Sequence, residues 1–151
     1  MKNKKESEIM STDVTCTTPD SSLVEISKMM VDANCGEIPI VMDLKKKNIV
    51  GVITDRDIVC RTLGLGKNPM NLTARDCMTK NVVTANPDMN IDNCLELMQE
   101  NKIRRIPVVD KNNFLCGIVS QPDLVRYGDE QGAIEAIQKV SSPGQSPSAI
   151  Q

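Results

Sequence analysis

The stretch Gly51-Val52-Ile53-Thr54-Asp55-Arg56-Asp57-Ile58-Val59 returns later in the chain as Gly117-Ile118-Val119-Ser120-Gln121-Pro122-Asp123-Leu124-Val125. The repeat extends well beyond this stretch. Met10 falls on Met78, Val14 on Val82, Pro19-Asp20 on Pro87-Asp88, Met30 on Met98, and Ile38-Pro39-Ile40-Val41 on Ile106-Pro107-Val108-Val109, all at an offset of 68 positions. The offset then drops to 66, because Asp43-Leu44-Lys45-Lys46-Lys47-Asn48 is answered by the shorter Lys111-Asn112-Asn113. Surface turns tolerate loss of residues better than any other part of a fold, so the alignment holds on both sides of the gap. A chain duplicated in this way folds as two equivalent units.

Each unit reads as strand, helix, strand, strand, helix. A lead ending in Met10 or Met78 comes first, with Thr73 placed to cap a helical turn in the second copy. Val14-Thr15-Cys16 and Val82-Val83-Thr84 are short extended segments, each closed by Pro-Asp. Leu23, Ile26, Met29, Met30 and Ala33, answered by Ile91, Cys94, Leu95 and Met98, recur at helical spacing and form a core stripe. Ile38 to Met42 and Ile49 to Ile53, matched by Ile106 to Val109 and Leu115 to Val119, are β-branched runs that predict strands buried on both faces. The last helix opens at Thr54 or Ser120. The predicted boundaries are a loose leader at 1–6, units at 7–62 and 73–128, a linker at 63–72, an amphipathic helix at 129–140 through Ile134 and Ile137, and a disordered tail at 141–151.

Composition removes several classes of function. With net charge −2, no Trp, one Tyr and one Phe, the chain lacks the basic stripe and stacking aromatics of a nucleic-acid binder. Its apolar runs are too short to span a bilayer and no signal-type segment follows the N-terminus, so a cytoplasmic protein is expected. The absence of histidine removes the commonest general base and the usual partner of a Ser or Cys nucleophile. Six scattered cysteines without a Cys-x-x-Cys pair read as reduced small hydrophobes, with no metal site and no catalytic residues expected.

The two units resemble cystathionine-β-synthase (CBS) motifs, and the pair resembles a stand-alone bacterial tandem CBS (Bateman) module. The resemblance runs from about Ile9 to Tyr127. It is carried by Ile106-Pro107-Val108-Val109-Asp110 after Arg104-Arg105, by Gly117-Ile118-Val119, by the closing hydroxyl-x-x-Asp, and by their first-copy counterparts. It implies an α+β fold of two βαββα motifs packed sheet to sheet with pseudo-two-fold symmetry and two intervening clefts. It also implies a non-catalytic regulatory sensor for an adenosine-containing ligand (AMP, ADP or ATP, alternatively S-adenosylmethionine), with no cofactor required. Homodimerisation and a regulated enzyme or transporter partner are further implications. A structural interaction module with empty clefts is the other reading.

The residues give this expectation a chemistry. One carboxylate accepts from both hydroxyls of a ribose, which makes Asp57 and Asp123 candidates, while Thr54 and Ser120 add a hydroxyl to the donors of a helix start. The same Thr/Ser-x-x-Asp pattern is also a capping box, and both readings stand. Ile38, Pro39, Ile106 and Pro107 are candidate walls for adenine, or plain core. Gly51 and Gly117 suit close approach by a ligand or equally by packed protein. Lys102, Arg104 and Arg105 suit phosphate, whereas their counterparts are Asn34, Gly36 and Glu37. One anion-competent cleft and one weaker cleft are therefore expected, with a solvated cationic edge as the alternative.

Overall fold

The computed structural model describes residues 5–127 together with Gln131, Ile134, Ile137 and Gln138. Those last four are helical, within the helix predicted at 129–140; the rest of that segment and the tail at 141–151 lie outside the described residues. In chain order the elements are α1 (Leu23–Asp32), β1 (Glu37–Val41), β2 (Ile49–Thr54), α2 (Asp55–Arg61), α3 (Ala74–Cys77), α4 (Ile91–Asn101), β3 (Arg105–Val109), β4 (Leu115–Ser120) and α5 (Gln121–Tyr127). The stretch read as linker carries two 3₁₀ turns, Leu63–Leu65 and Pro69–Asn71.

Helix starts follow the sequence closely. Ser22 caps α1 and Glu25 returns the bond, Asn90 accepts from the Asp92 amide at α4, and Asp76 accepts from the Thr73 amide at α3. Each cap satisfies backbone donors that a helix start leaves open and contributes about 1 kcal/mol.

β1 pairs antiparallel with β2, and β3 with β4, in the same register. Glu37 stands opposite Thr54, and Arg105 opposite Ser120. A bulge interrupts both hairpins at the same place, between Ile40 and Val41 and between Val108 and Val109. The added residue flips the strand face, and this sends Ile49 and Leu115 away from the helices into a separate cluster with Val41 and Val109. That cluster is the seam between the two sheets. β1 and β3 are buried on both faces after their first residue, as predicted, whereas β2 and β4 alternate between buried and half-buried. The extended segments expected at Val14–Cys16 and Val82–Thr84 reduce to single parallel bridges one residue later, Thr17 to Ile40 and Ala85 to Val108.

The outer edge of each hairpin is covered by the lead of the other unit. Ser11 and Ile118 exchange both backbone hydrogen bonds (2.9 and 3.0 Å), as do Thr79 and Val52 (2.8 and 3.0 Å). Ile9 enters the core of the second unit beside Ile91, Met98 and Ile106, while Ala74 and Cys77 enter that of the first beside Leu23, Ile26 and Ile38. Surface ion pairs follow the same exchange, Lys5 with Asp88 and Arg75 with Asp20. Such exposed pairs add little stability and serve mainly to fix register.

This exchange explains the paired glycines. A Cβ on Gly51 would lie 2.8 Å from Met78 Sδ and 3.1 Å from the Thr79 carbonyl, and one on Gly117 would lie 2.8 Å from Met10 Cγ. The glycines admit protein chain, so of the two readings close packing is the one observed. Gly51→Ala should lower stability by about 1–3 kcal/mol in urea unfolding, because a backbone carbonyl must move. Gly117→Ala should also lower stability, because the added Cβ would meet the near end of Met10, its Cβ at 3.1 Å; no loss in either variant would contradict this account.

Candidate functional site

Two clefts open along the seam between the units. The first, about 590 Å³, is lined by Thr54, Asp55 and Arg56 from the start of α2, by Gly36 and Glu37, and by Lys102 to Arg105 from the turn after α4. The second, about 250 Å³, takes Ser120 and Asp123 from the other copy. Its remaining walls include Asp13, Asn34, Cys35, Glu37, Pro39 and Arg105. Small-molecule sites run from about 300 to 1,000 Å³, so the first cleft is within that range and the second just below it.

The hydroxyl-x-x-Asp turns do cap their helices. Asp57 Oδ2 accepts from the Thr54 amide at 3.0 Å and Thr54 Oγ1 accepts from the Asp57 amide at 3.0 Å. Asp57 Oδ1 lies 3.6 Å from the Arg61 guanidinium, which also donates to the Cys77 carbonyl at 2.8 Å. In the second copy Asp123 Oδ2 accepts from the Ser120 amide at 2.9 Å and from its hydroxyl at 2.5 Å. The reciprocal capping box is complete at Thr54, whereas at the second turn the Ser120 hydroxyl donates to Asp123 and the carboxylate half of the box is the one present. A receptor role is compatible with it only because a hollow adjoins each turn, and of the two carboxylates only Asp123 lines one.

The cationic residues gather in the first cleft. Lys102 and Arg104 meet the Thr54 turn there, and Arg105 lines both clefts. Lys102 holds a left-handed backbone (φ 53°) as the C-cap of α4, a place where a cation also complements the helix dipole. Asn34, its counterpart, shares that conformation (φ 49°) without the charge. Among the expected apolar walls, only Pro39 lines a cleft. Ile38 and Ile106 are corrected to core: strand alternation turns them toward α1 and α4, where both are fully buried. Pro107 is buried and lines neither cleft.

Glu37 is the site residue that sequence reasoning treated only as the counterpart of Arg105. A charged residue leading an apolar strand, at the position where the other copy has Arg, was the available signal. Its Oε2 is buried without a hydrogen-bond partner. Burial pushes its carboxyl up to about 7; the Arg105 guanidinium pulls the other way, and the Asp57 carboxylate adds to the rise. Burial likewise raises the thiols of Cys16, Cys77 and Cys116, which keeps them protonated and unreactive. Among the described residues, no three His, Cys, Asp or Glu side chains are placed to hold a metal ion.

Comparison with known proteins agrees with this architecture. The CBS domain family matches residues 7–62 and 74–130, and the chain belongs to that family. It is 34% identical over 133 residues to the CBS domain-containing protein YhcV of Bacillus subtilis, covering 87% of this chain and 91% of that one. An uncharacterized protein of Methanopyrus kandleri is 36% identical over 126 residues; the match takes in 83% of this chain but 63% of that protein's length. Among solved structures, the CBS domain pair of protein MJ0100, in complex with 5'-methylthioadenosine and S-adenosyl-L-methionine, superposes with a TM-score of 0.72 at 30% identity. That match covers 85% of this chain and 98% of the other. The protein is therefore a tandem CBS regulatory module.

The Glu37 carboxyl gives the molecule a defined pH dependence. Its ordinary value is 4.5, so between pH 4.5 and about 7 the folded state holds a proton that the unfolded state releases, and stability falls as pH rises through that window. Glu37→Gln should therefore be more stable than the parent at pH 8, by on the order of 2 kcal/mol, and nearly equal to it at pH 4.5. Urea unfolding at the two pH values checks this, and the same difference at both would refute it.

Proposed function

We propose that this protein is a non-catalytic regulatory sensor that takes an adenosine-containing ligand of the AMP, ADP or ATP class in the Thr54 cleft. One observation carries the reading: Arg56, Lys102, Arg104 and Arg105 converge on a single hollow of about 590 Å³. Guanidinium groups there suit bidentate contacts to phosphate oxygens, and a ligand of nucleotide size would neutralise a set of like charges that otherwise repel one another. Thr54 keeps its hydroxyl hydrogen available while its oxygen caps α2.

S-adenosylmethionine remains a second reading, favoured by the acidic lining of the Ser120 cleft and by the ligands of the MJ0100 complex. Self-association through α2 and α5 belongs to the same proposal. Val59, Leu63, Leu65 and Val125 are exposed along or just after those helices, an apolar surface suited to a second copy. A regulated enzyme or transporter would then read the state of the module in the cytoplasm.

A thermal-shift panel of AMP, ADP, ATP and S-adenosylmethionine tests the reading. A ligand at one hundred times its dissociation constant adds about 2.7 kcal/mol to apparent stability, enough to raise the melting temperature by several degrees. Arg104→Ala should weaken the best nucleotide about tenfold, as expected for loss of a charge-assisted hydrogen bond. If no compound shifts the transition, the interaction-module reading with empty clefts replaces this one.

A further inference from the structure

The two clefts share Glu37 and Arg105 and otherwise carry opposite charge. At the Thr54 cleft Arg56, Lys102, Arg104 and Arg105 outnumber Glu37 and Asp55. At the Ser120 cleft Asp13, Glu37 and Asp123 outnumber Arg105. Arg56, Lys102 and Arg104 on one side and Asp13 and Asp123 on the other make the difference, while Glu37 and Arg105, the first residues of β1 and β3 and counterparts in the duplication, line both clefts.

Glu37 matters most because its Oε2 is buried and unpartnered. A buried acceptor left open is costly, and a ligand that brings a donor to it recovers that cost. A phosphate dianion brings acceptors and negative charge instead, against three carboxylates in the smaller cleft. In the larger cleft four cations offset the same group.

Resting on the adenosine-ligand reading, we propose that Glu37 sorts ligands between the clefts. It bars phosphate from the Ser120 cleft and reserves that cleft for adenosine compounds whose far end is uncharged or cationic, while anionic ones occupy the Thr54 cleft. One module then senses two chemically different adenosine compounds at once.

Calorimetric titration of the full chain with AMP and with adenosine at pH 8, joined to amide chemical-shift mapping, tests this. In the parent protein AMP should bind at one equivalent and perturb the amides of Thr54 and Arg104. Adenosine should still bind to the AMP-saturated protein, perturbing Ser120 and Asp123. Glu37→Gln should admit a second AMP equivalent, with the affinity at Ser120 and Asp123 raised about tenfold or more by removal of like-charge repulsion. Glu37→Ala should do the same, and melting curves establish that both variants are folded. Two AMP equivalents of similar affinity in the parent, or one equivalent in both variants, would overturn the sorting role and leave the sensor reading standing. No heat from AMP or adenosine in any form would overturn the sensor reading and the sorting role with it.

Discussion

The fold depends on an exchange of edges. An isolated two-stranded hairpin is marginal in water, and each hairpin here would expose a row of unpaired amides and carbonyls along β2 or β4. The lead of the opposite unit covers that row: residues around Ser11 lie on β4 and residues around Thr79 lie on β2. Ile9, Ala74 and Cys77 travel with those leads into the opposite cores. A fully buried isoleucine contributes about 1.5–3 kcal/mol relative to exposure, so neither unit holds its full stability without the other. The pair behaves as one cooperative body even though it arose from two copies.

That exchange also places the clefts. Because each lead crosses to the other unit, residues from both copies meet along the seam, and both clefts draw walls from both copies. Glu37 and Arg105 each stand opposite the hydroxyl residue of their own hairpin, Thr54 and Ser120, and each lines both clefts. A charge at this position is felt by both.

Much of this was legible in the sequence, and the parts that were not share a cause. Helices α1 and α4, the strand pairs, the capping turns and the division of cationic residues between copies follow from periodicity and self-alignment, which are local or pairwise properties of the chain. The bulges at Val50 and Cys116 were not visible, because a bulge is a relation between two strands and both copies carry it without any change in residue pattern. The role of Gly51 and Gly117 was open for the same reason: a missing side chain says that something approaches, and only the exchanged leads show that Met78 and Met10 do so. Ile38 and Pro39 read alike in sequence as candidate walls, although strand alternation allows only one of two neighbours to face the seam. The meaning of Glu37 lies in burial, and burial comes from parts of the chain far removed from it.

The charge reversal at the seam has a physical logic that the duplication makes plain. Two identical clefts sharing one wall would compete, because any charge suited to one ligand would act equally on the next. With Arg at both positions, two phosphates could enter but the empty module would hold two facing cations without a counter-charge. With Glu at both, neither cleft would admit a nucleotide. One of each leaves the empty module partly neutralised, since Arg105 tempers the rise of the Glu37 carboxyl. The clefts differ through side chains that line only one of them, Arg56, Lys102 and Arg104 in the larger and Asp13 and Asp123 in the smaller. At the mouths of the clefts the two copies differ in charge, at Asn34 and Lys102, Gly36 and Arg104, and Glu37 and Arg105, while the apolar pattern of the core recurs in both.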